Sequence, residues 1–301
     1  MNWFAGALIS SLLFAVVTIF DKRLLGSLFP SYHTFAITFG LLQFPLAAGF
    51  LAFVIPTVGF ESGEGIAWAL SSGLLWAIGL SLFFYGLSLE EVSRAAPMQS
   101  VTPVITAVIA VVLFDDIVSP IQWAGILVVG SGSVMINLRK VDGRYRIARG
   151  KAFLVLLLAA FALGWAFIVS DEATDRLNVW ATQGLRALGM GLGVLALHWR
   201  PSRTGPLIVA LQNRQTAGLM FMTEGVMAPI AALTFVYALS VGSVSLVTTV
   251  AAIRPLAILV LSLALSTRWW KMIDEPIDRE TIGLKLVATL LIVGGVVTLG
   301  L

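Results

Sequence analysis

Phe83-Phe84-Tyr85-Gly86-Leu87-Ser88 and Phe235-Val236-Tyr237-Ala238-Leu239-Ser240 are two versions of one phrase. A shift of 152 positions, which carries 83 to 235, also lays Val92-Ser93 on Val244-Ser245 and Pro103 on Pro255. Near the N-termini of the two halves, Asp21 falls on Asp171 at a shift of 150; near their C-termini, Ile126 to Gly130 falls on Leu290 to Gly294 at a shift of 164. The loops do the opposite. Lys22-Arg23 faces Glu172-Ala173, Glu61 and Glu64 match the loop of Arg200, Arg203 and Arg214, and Asp115-Asp116 matches that of Arg268 and Lys271. Similar helices with opposite loop charges predict two halves inserted upside down to each other, an architecture of membrane transporters.

The composition excludes an ordinary soluble core. The chain is 58% hydrophobic and 12% charged, where a soluble domain carries about 25% charge. Apolar stretches of spanning length recur throughout, so we expect an all-α polytopic membrane protein. Met1-Asn2-Trp3 offers no basic leader, and the first apolar stretch reads as a retained helix. With no cysteine, disulfides, thiolate metal sites and cysteine nucleophiles are excluded. The net charge of +3 sits in loops, where it sets orientation rather than marking a nucleic-acid partner.

Ten spans are predicted, at 3–20, 32–55, 66–88, 95–114, 119–138, 152–170, 179–199, 216–240, 243–265 and 282–301. They form two five-helix repeats, 1–138 and 152–301, joined by the basic linker 139–151. Five spans per half is an odd number, so the second half must enter from the opposite side. The loops after spans 1, 3, 5, 7 and 9 hold nearly all basic residues, whereas those after spans 2, 4, 6 and 8 hold only Arg176. The positive-inside rule then places the odd-numbered loops in the cytoplasm and both termini outside. Trp269-Trp270, beside Arg268 and Lys271, reads as an interfacial belt on the cytoplasmic side.

This layout resembles the drug/metabolite transporter superfamily, specifically its EamA-type members. The resemblance rests on Ser100-Val101-Thr102-Pro103 with its degenerate partner Ala252-Ile253-Arg254-Pro255, and on Phe84-Tyr85-Gly86-Leu87 with Val236-Tyr237-Ala238-Leu239. It also rests on a basic residue in the second helix of a unit, present as Arg186, and on Asp115-Asp116 in place of a closing Gly-Glu. It implies a secondary transporter with a central cavity between the halves and leaves the substrate open. Many members have cytoplasmic termini; the charges here argue the reverse.

Arg254 is the most informative single residue. It lies near the middle of span nine, before Pro255, where an arginine costs roughly 2.5–3.5 kcal/mol on insertion scales. It reads as a guanidinium that holds a carboxylate or phosphate, or as one side of an ion pair with Glu224. Glu224 reads as a site for an amine or a proton, or as a fixed salt bridge to Arg254 or Arg186. Arg186 lines the mouth of the cavity or snorkels to the interface. These three charges align with Thr102, Ser72 and, approximately, Ala36 in the first half, so a repeated scaffold carries an asymmetric polar site. Trp76, Tyr85, Trp165 and Tyr237 are the aromatic candidates for the cavity, with Trp165 preferred, and Gln43 and Gln99 add amides. Pro103 and Pro255 are candidate hinges. Asp21 and Asp171 read as gate residues or, by preference, as solvated carboxylates at helix ends. His33 and His198 lie far apart in sequence, and no metal site is expected. The small-residue runs Gly184 to Gly193 and Gly130-Ser131-Gly132 predict close helix packing.

The reading that follows is a secondary active transporter moving a small zwitterionic or anionic metabolite by alternating access, with export as the direction. It needs no cofactor; its partners are the substrate, a proton or counter-substrate, and the lipid bilayer. One chain suffices as a monomer, in a bacterial or archaeal inner membrane. Rival readings are an exporter of hydrophobic or cationic drugs and a non-transporting membrane partner. The chain lacks a Gly-x-x-x-x-Gly-Lys-Ser/Thr loop, a His-Glu-x-x-His helix and a Gly-x-Ser-x-Gly elbow, which argues against an ATP-driven pump and an intramembrane enzyme.

Overall fold

The computed structural model describes residues 2–57, 62–89, 95, 98–115, 117–136, 138–141, 144–147, 150–251 and 253–265, with isolated positions beyond. These residues form helices and one short hairpin. The helices of the first half are α1 (Trp3–Arg23), α2 (Tyr32–Thr57), α3 (Gly63–Leu89), α4 (Thr102–Phe114) and α5 (Pro120–Ile136). The hairpin pairs β1 (Leu138–Val141) with β2 (Arg144–Ile147), antiparallel. After it come α6 (Lys151–Thr174), α7 (Val179–His198), α8 (Thr204–Gln212), α9 (Arg214–Leu239), α10 (Val244–Ala251) and α11 (Arg254–Leu265). Among the described residues, five stretches are long and apolar enough to cross a membrane: Trp3–Leu28, Tyr32–Pro56, Gly63–Leu89, Lys151–Thr174 and Arg214–Leu239.

Local chemistry fixes the helix ends. Asn2, Asn178 and Asn213 each accept a hydrogen bond from a backbone N–H in the first turn of the helix that follows, filling donors that have no partner inside the helix. At α5, Ser119 and Gln122 form a reciprocal capping box. Asp115 closes α4 in the left-handed conformation, with φ 54°. Aspartate tolerates that region better than most side chains, so it stands where a glycine closes many helices. Two long helices are locally unwound into π turns: α1 continues through Leu24–Leu28, and α9 widens at Phe221–Met227.

The halves pack against each other more than within themselves. α3 lies along α6 and α7, α2 along α7, and α1 along α9. Exchange of α1 with α6, α3 with α9, and α4 with α10 carries two of these contacts onto each other, α3 on α6 becoming α9 on α1 and α4 on α6 becoming α10 on α1, whereas the long contact of α3 with α7 has only a short counterpart, α2 against the π turn of α9. Small residues set the closest crossing. A Cβ on Gly73 would collide with the backbone of Arg186, Gly189 and Met190, and one on Gly189 with the carbonyl of Leu70. The glycine-rich stretch of α7 is therefore packed as its sequence predicts, with the backbones of α3 and α7 touching.

Two segments read as loops carry regular structure. The basic linker folds as the β1–β2 hairpin, and the connection between spans seven and eight contains α8. Span ten lies outside the described residues apart from isolated positions, as do Glu61, Asp116 and the Trp269-Trp270 belt. Arg176, the lone basic residue of the even-numbered loops, is neutralised locally. It bonds Glu172 at 2.6 Å and Glu64 at 3.2 Å, and the Glu172 hydrogen bond holds its guanidinium above the ordinary arginine value. Its charge therefore weighs little against the orientation read from the other loops.

Candidate functional site

A central cavity with about 1060 Å³ of empty space, its open mouth included, lies between the halves. Its wall takes residues from α1, α2, α3, the turn Gln99–Val101, α6, α7, α9, α10 and the start of α11. Most of the wall is apolar and aromatic, so each polar group in it stands out.

The first polar group is a set of unfilled donors. Arg186 is 2% exposed. Its Nη2 donates to Gln183 Oε1 at 2.7 Å, and its guanidinium lies 5.2 Å from the centre of the Trp76 ring. Its Nε and Nη1 find no partner among the described residues. Arg254 donates from Nη1 to Gln99 Oε1 at 3.3 Å and sits over Phe14 at 4.6 Å, and its Nε is unfilled. Trp76 Nε1 is also unfilled. Buried donors in native proteins are nearly always satisfied, so among the described residues this wall lacks an acceptor.

Helix geometry adds to that. The helical run of α10 stops at Ala251 and restarts as α11 at Arg254, while α4 starts at Thr102 after its 3₁₀ turn. Both restarts line the cavity. A helix N-terminus carries a positive dipole end, although the N–H groups of Thr102, Ile253, Leu256 and Ala257 are bonded to the preceding turns. Pro103 and Pro255 stand in these first turns, where a missing N–H breaks no hydrogen bond.

The second polar group is acidic. Asp21 and Glu224 are 3% and 2% exposed, and both line the cavity. Asp21 on α1 and Glu224 in the π turn of α9 stand where these two elements pack against each other. Neither pairs with an arginine among the described residues, so the ion pair of Glu224 with Arg254 or Arg186 that the sequence left open is not formed. Asp21 also departs from the reading of a solvated helix end. α1 runs on through its π turn and carries Asp21 inside the bundle.

Comparison with known proteins adds a family. Residues 1–138 match the profile of the EamA-like transporter family. The first half of this chain is EamA-like. The family lies within the drug/metabolite transporter superfamily and is one of membrane transporters, not of enzymes. With its spanning helices, the chain is an integral membrane protein. A search of curated proteins found no match. A crystal structure of a protein is similar over 98% of this chain and 94% of its own, at TM-score 0.65 and 19% identity. At that identity the likeness concerns the fold alone.

In the EamA-like half, the structure sets Trp76 and Gln99 on the cavity wall, and from the second half it brings Arg186, Glu224 and Arg254 beside them. Gln43, Gln183 and Asp21 join them. Tyr85, Trp165 and Tyr237 do not line the cavity. Tyr85 stacks on Tyr32 at 4.8 Å under the Lys151 ammonium, at the end of the bundle. Trp165 packs half-buried against the core, while its neighbours Leu163 and Phe167 face the cavity. His33 and His198, distant in sequence, meet through a 3.0 Å hydrogen bond, and His198 also bonds Ser81. No group of three metal-binding side chains occurs among the described residues.

Proposed function

We propose that this protein is a secondary active transporter that carries a small anionic or zwitterionic metabolite, with Arg186 and Arg254 as its anchors and export as its direction. The observation that carries this reading is the pair of cavity arginines with unfilled N–H groups and no carboxylate partner among the described residues. A guanidinium with free donors in a half-dry cavity binds a carboxylate or phosphate through charge-assisted hydrogen bonds. Trp76 supplies a flat apolar wall beside it. The ten-span, inverted five-helix arrangement is part of the proposal. It is supported by the repeated sequence and by two helix contacts, α3 on α6 and α4 on α6, that recur as α9 on α1 and α10 on α1. Alternating access follows, as the halves rock about the cavity between them. The basic odd-numbered loops place that side in the cytoplasm and both termini outside.

The test is a melting-shift panel on purified protein: amino acids, organic anions, phosphorylated metabolites and cationic drugs, repeated on Arg254→Gln. A ligand at a hundredfold excess over its Kd stabilises the fold by about 2.7 kcal/mol. The expected result is a shift with carboxylates or phosphates that shrinks or vanishes in Arg254→Gln. A shift with cations only would overturn the reading.

A further inference from the structure

We propose that Asp21 and Glu224 form a proton-binding site in the cavity wall, holding one proton between their two carboxyl groups. The inference deepens the transport reading and rests on it only for its use, as the place where proton binding is coupled to movement of the halves.

Geometry carries it. The two side chains come from opposite halves of the chain, Asp21 on α1 and Glu224 on α9, and both are buried on one cavity wall where α1 packs against the π turn of α9. Two neighbouring buried carboxyls repel each other when both are ionised, and one proton held by the pair removes that repulsion. Asp21 Oδ1 is buried on the cavity wall and finds no hydrogen-bond partner among the described residues. No cation balances the pair among the described residues. Lys22, beside Asp21, donates to the carbonyl oxygen of Leu87 at 2.7 Å. The arginines facing the same cavity, Arg186 of α7 and Arg254 of α11, bond Gln183 and Gln99. α2 and α10 contribute only the neutral polar groups Gln43 and Thr248 to this wall.

The repeat shows that helix packing does not require these carboxyls. Glu224 aligns with Ser72 at the shift of 152, and Ser170 is one residue before Asp171, the position aligned with Asp21. Ser72 and Ser170 hydrogen-bond each other across α3 and α6, the contact equivalent to α9 on α1. Two neutral hydroxyls therefore join the helices at one interface, and two carboxyls stand at the other. Both carboxyls also sit at the π turns: Glu224 lies within Phe221–Met227, and Asp21 is three residues before Leu24–Leu28. Such bulges are frequent at functional sites. With the proton in place, the pair bonds α1 to α9. When it leaves to water, two adjacent negative charges repel across that interface.

Infrared difference spectra of the full-length protein in micelles, taken from acid to alkaline pH, test this without any ligand. The wild type is expected to show a protonated-carboxyl stretching band that disappears on alkalinisation. Asp21→Asn with Glu224→Gln together should remove it, and each single substitution should move the midpoint of the remaining carboxyl, the mark of a coupled pair. If the amide variants do not fold, Asp21→Glu and Glu224→Asp should keep the band and shift its midpoint. Absence of the band in the wild type, its survival in the double variant, or midpoints that no substitution moves would overturn the proposal. The arginine reading stands or falls separately, since this band involves no anion.

Discussion

Arg186→Met is expected to melt at a higher temperature than the wild type and to lose anion binding. Arg186 is buried with two unfilled nitrogens. An unsatisfied buried donor costs about 1–3 kcal/mol, and more when charged. Methionine is of similar length, apolar and adaptable enough to fill the space beside Trp76. Replacing a poorly compensated buried charge by a packed apolar side chain is often stabilising, and each kcal/mol moves the melting temperature by about 2–4 °C in a chain of this size range. Loss of charge-assisted bonds of about 1.5–3 kcal/mol lowers anion affinity roughly 10- to 150-fold. Thermal melting with and without the anions that shift the wild type checks both halves of the expectation. A purely structural arginine would give the reverse, a lower melting temperature with binding intact.

Gly73→Val should destroy the folded bundle. The new Cβ meets backbone atoms of α7, at Arg186, Gly189 and Met190, and backbone cannot swing aside as a side chain does. Overpacking costs about 1–3 kcal/mol where a core can adjust, and more where two helices must separate. The same displacement moves Arg186 off the cavity wall. Size-exclusion profile and melting curve are the measurements, with Gly49→Val as control, since a Cβ there meets nothing within 4 Å. A monodisperse Gly73→Val protein that still binds anions would contradict the packing account.

The features legible in the sequence are those where physics allows one answer. A charge inside an apolar span must face protein or water, and Arg186, Glu224 and Arg254, candidates on that ground with structural ion pairs or snorkelling as the alternatives, all line the cavity. The glycines of α7 pointed to close packing for a similar reason. Asp21 was misjudged because the span was ended at residue 20, whereas the helix and its π turn run to Leu28; nothing in Leu24–Leu28 marks a π turn in advance. The aromatic candidates fell short because α6 is apolar on all sides. Leu163 and Phe167 face the cavity and Trp165 does not, and no polar stripe in the sequence distinguishes those faces. Tyr85 and Tyr237 repeat, which favours a shared packing role over a place in the cavity, and the structure sets both outside the cavity wall. The β1–β2 hairpin and α8 lie between spans, in stretches read only for their charge.

The most direct test of the central claim is counterflow in proteoliposomes, with radiolabelled glutamate, succinate and inorganic phosphate measured against vesicles preloaded with the same unlabelled compound. The wild type should exchange at least one of them, and Arg186→Met and Arg254→Gln should each reduce that exchange by tenfold or more while remaining folded. Wild-type vesicles that exchange none of these anions, or exchange unchanged by both substitutions, would contradict it.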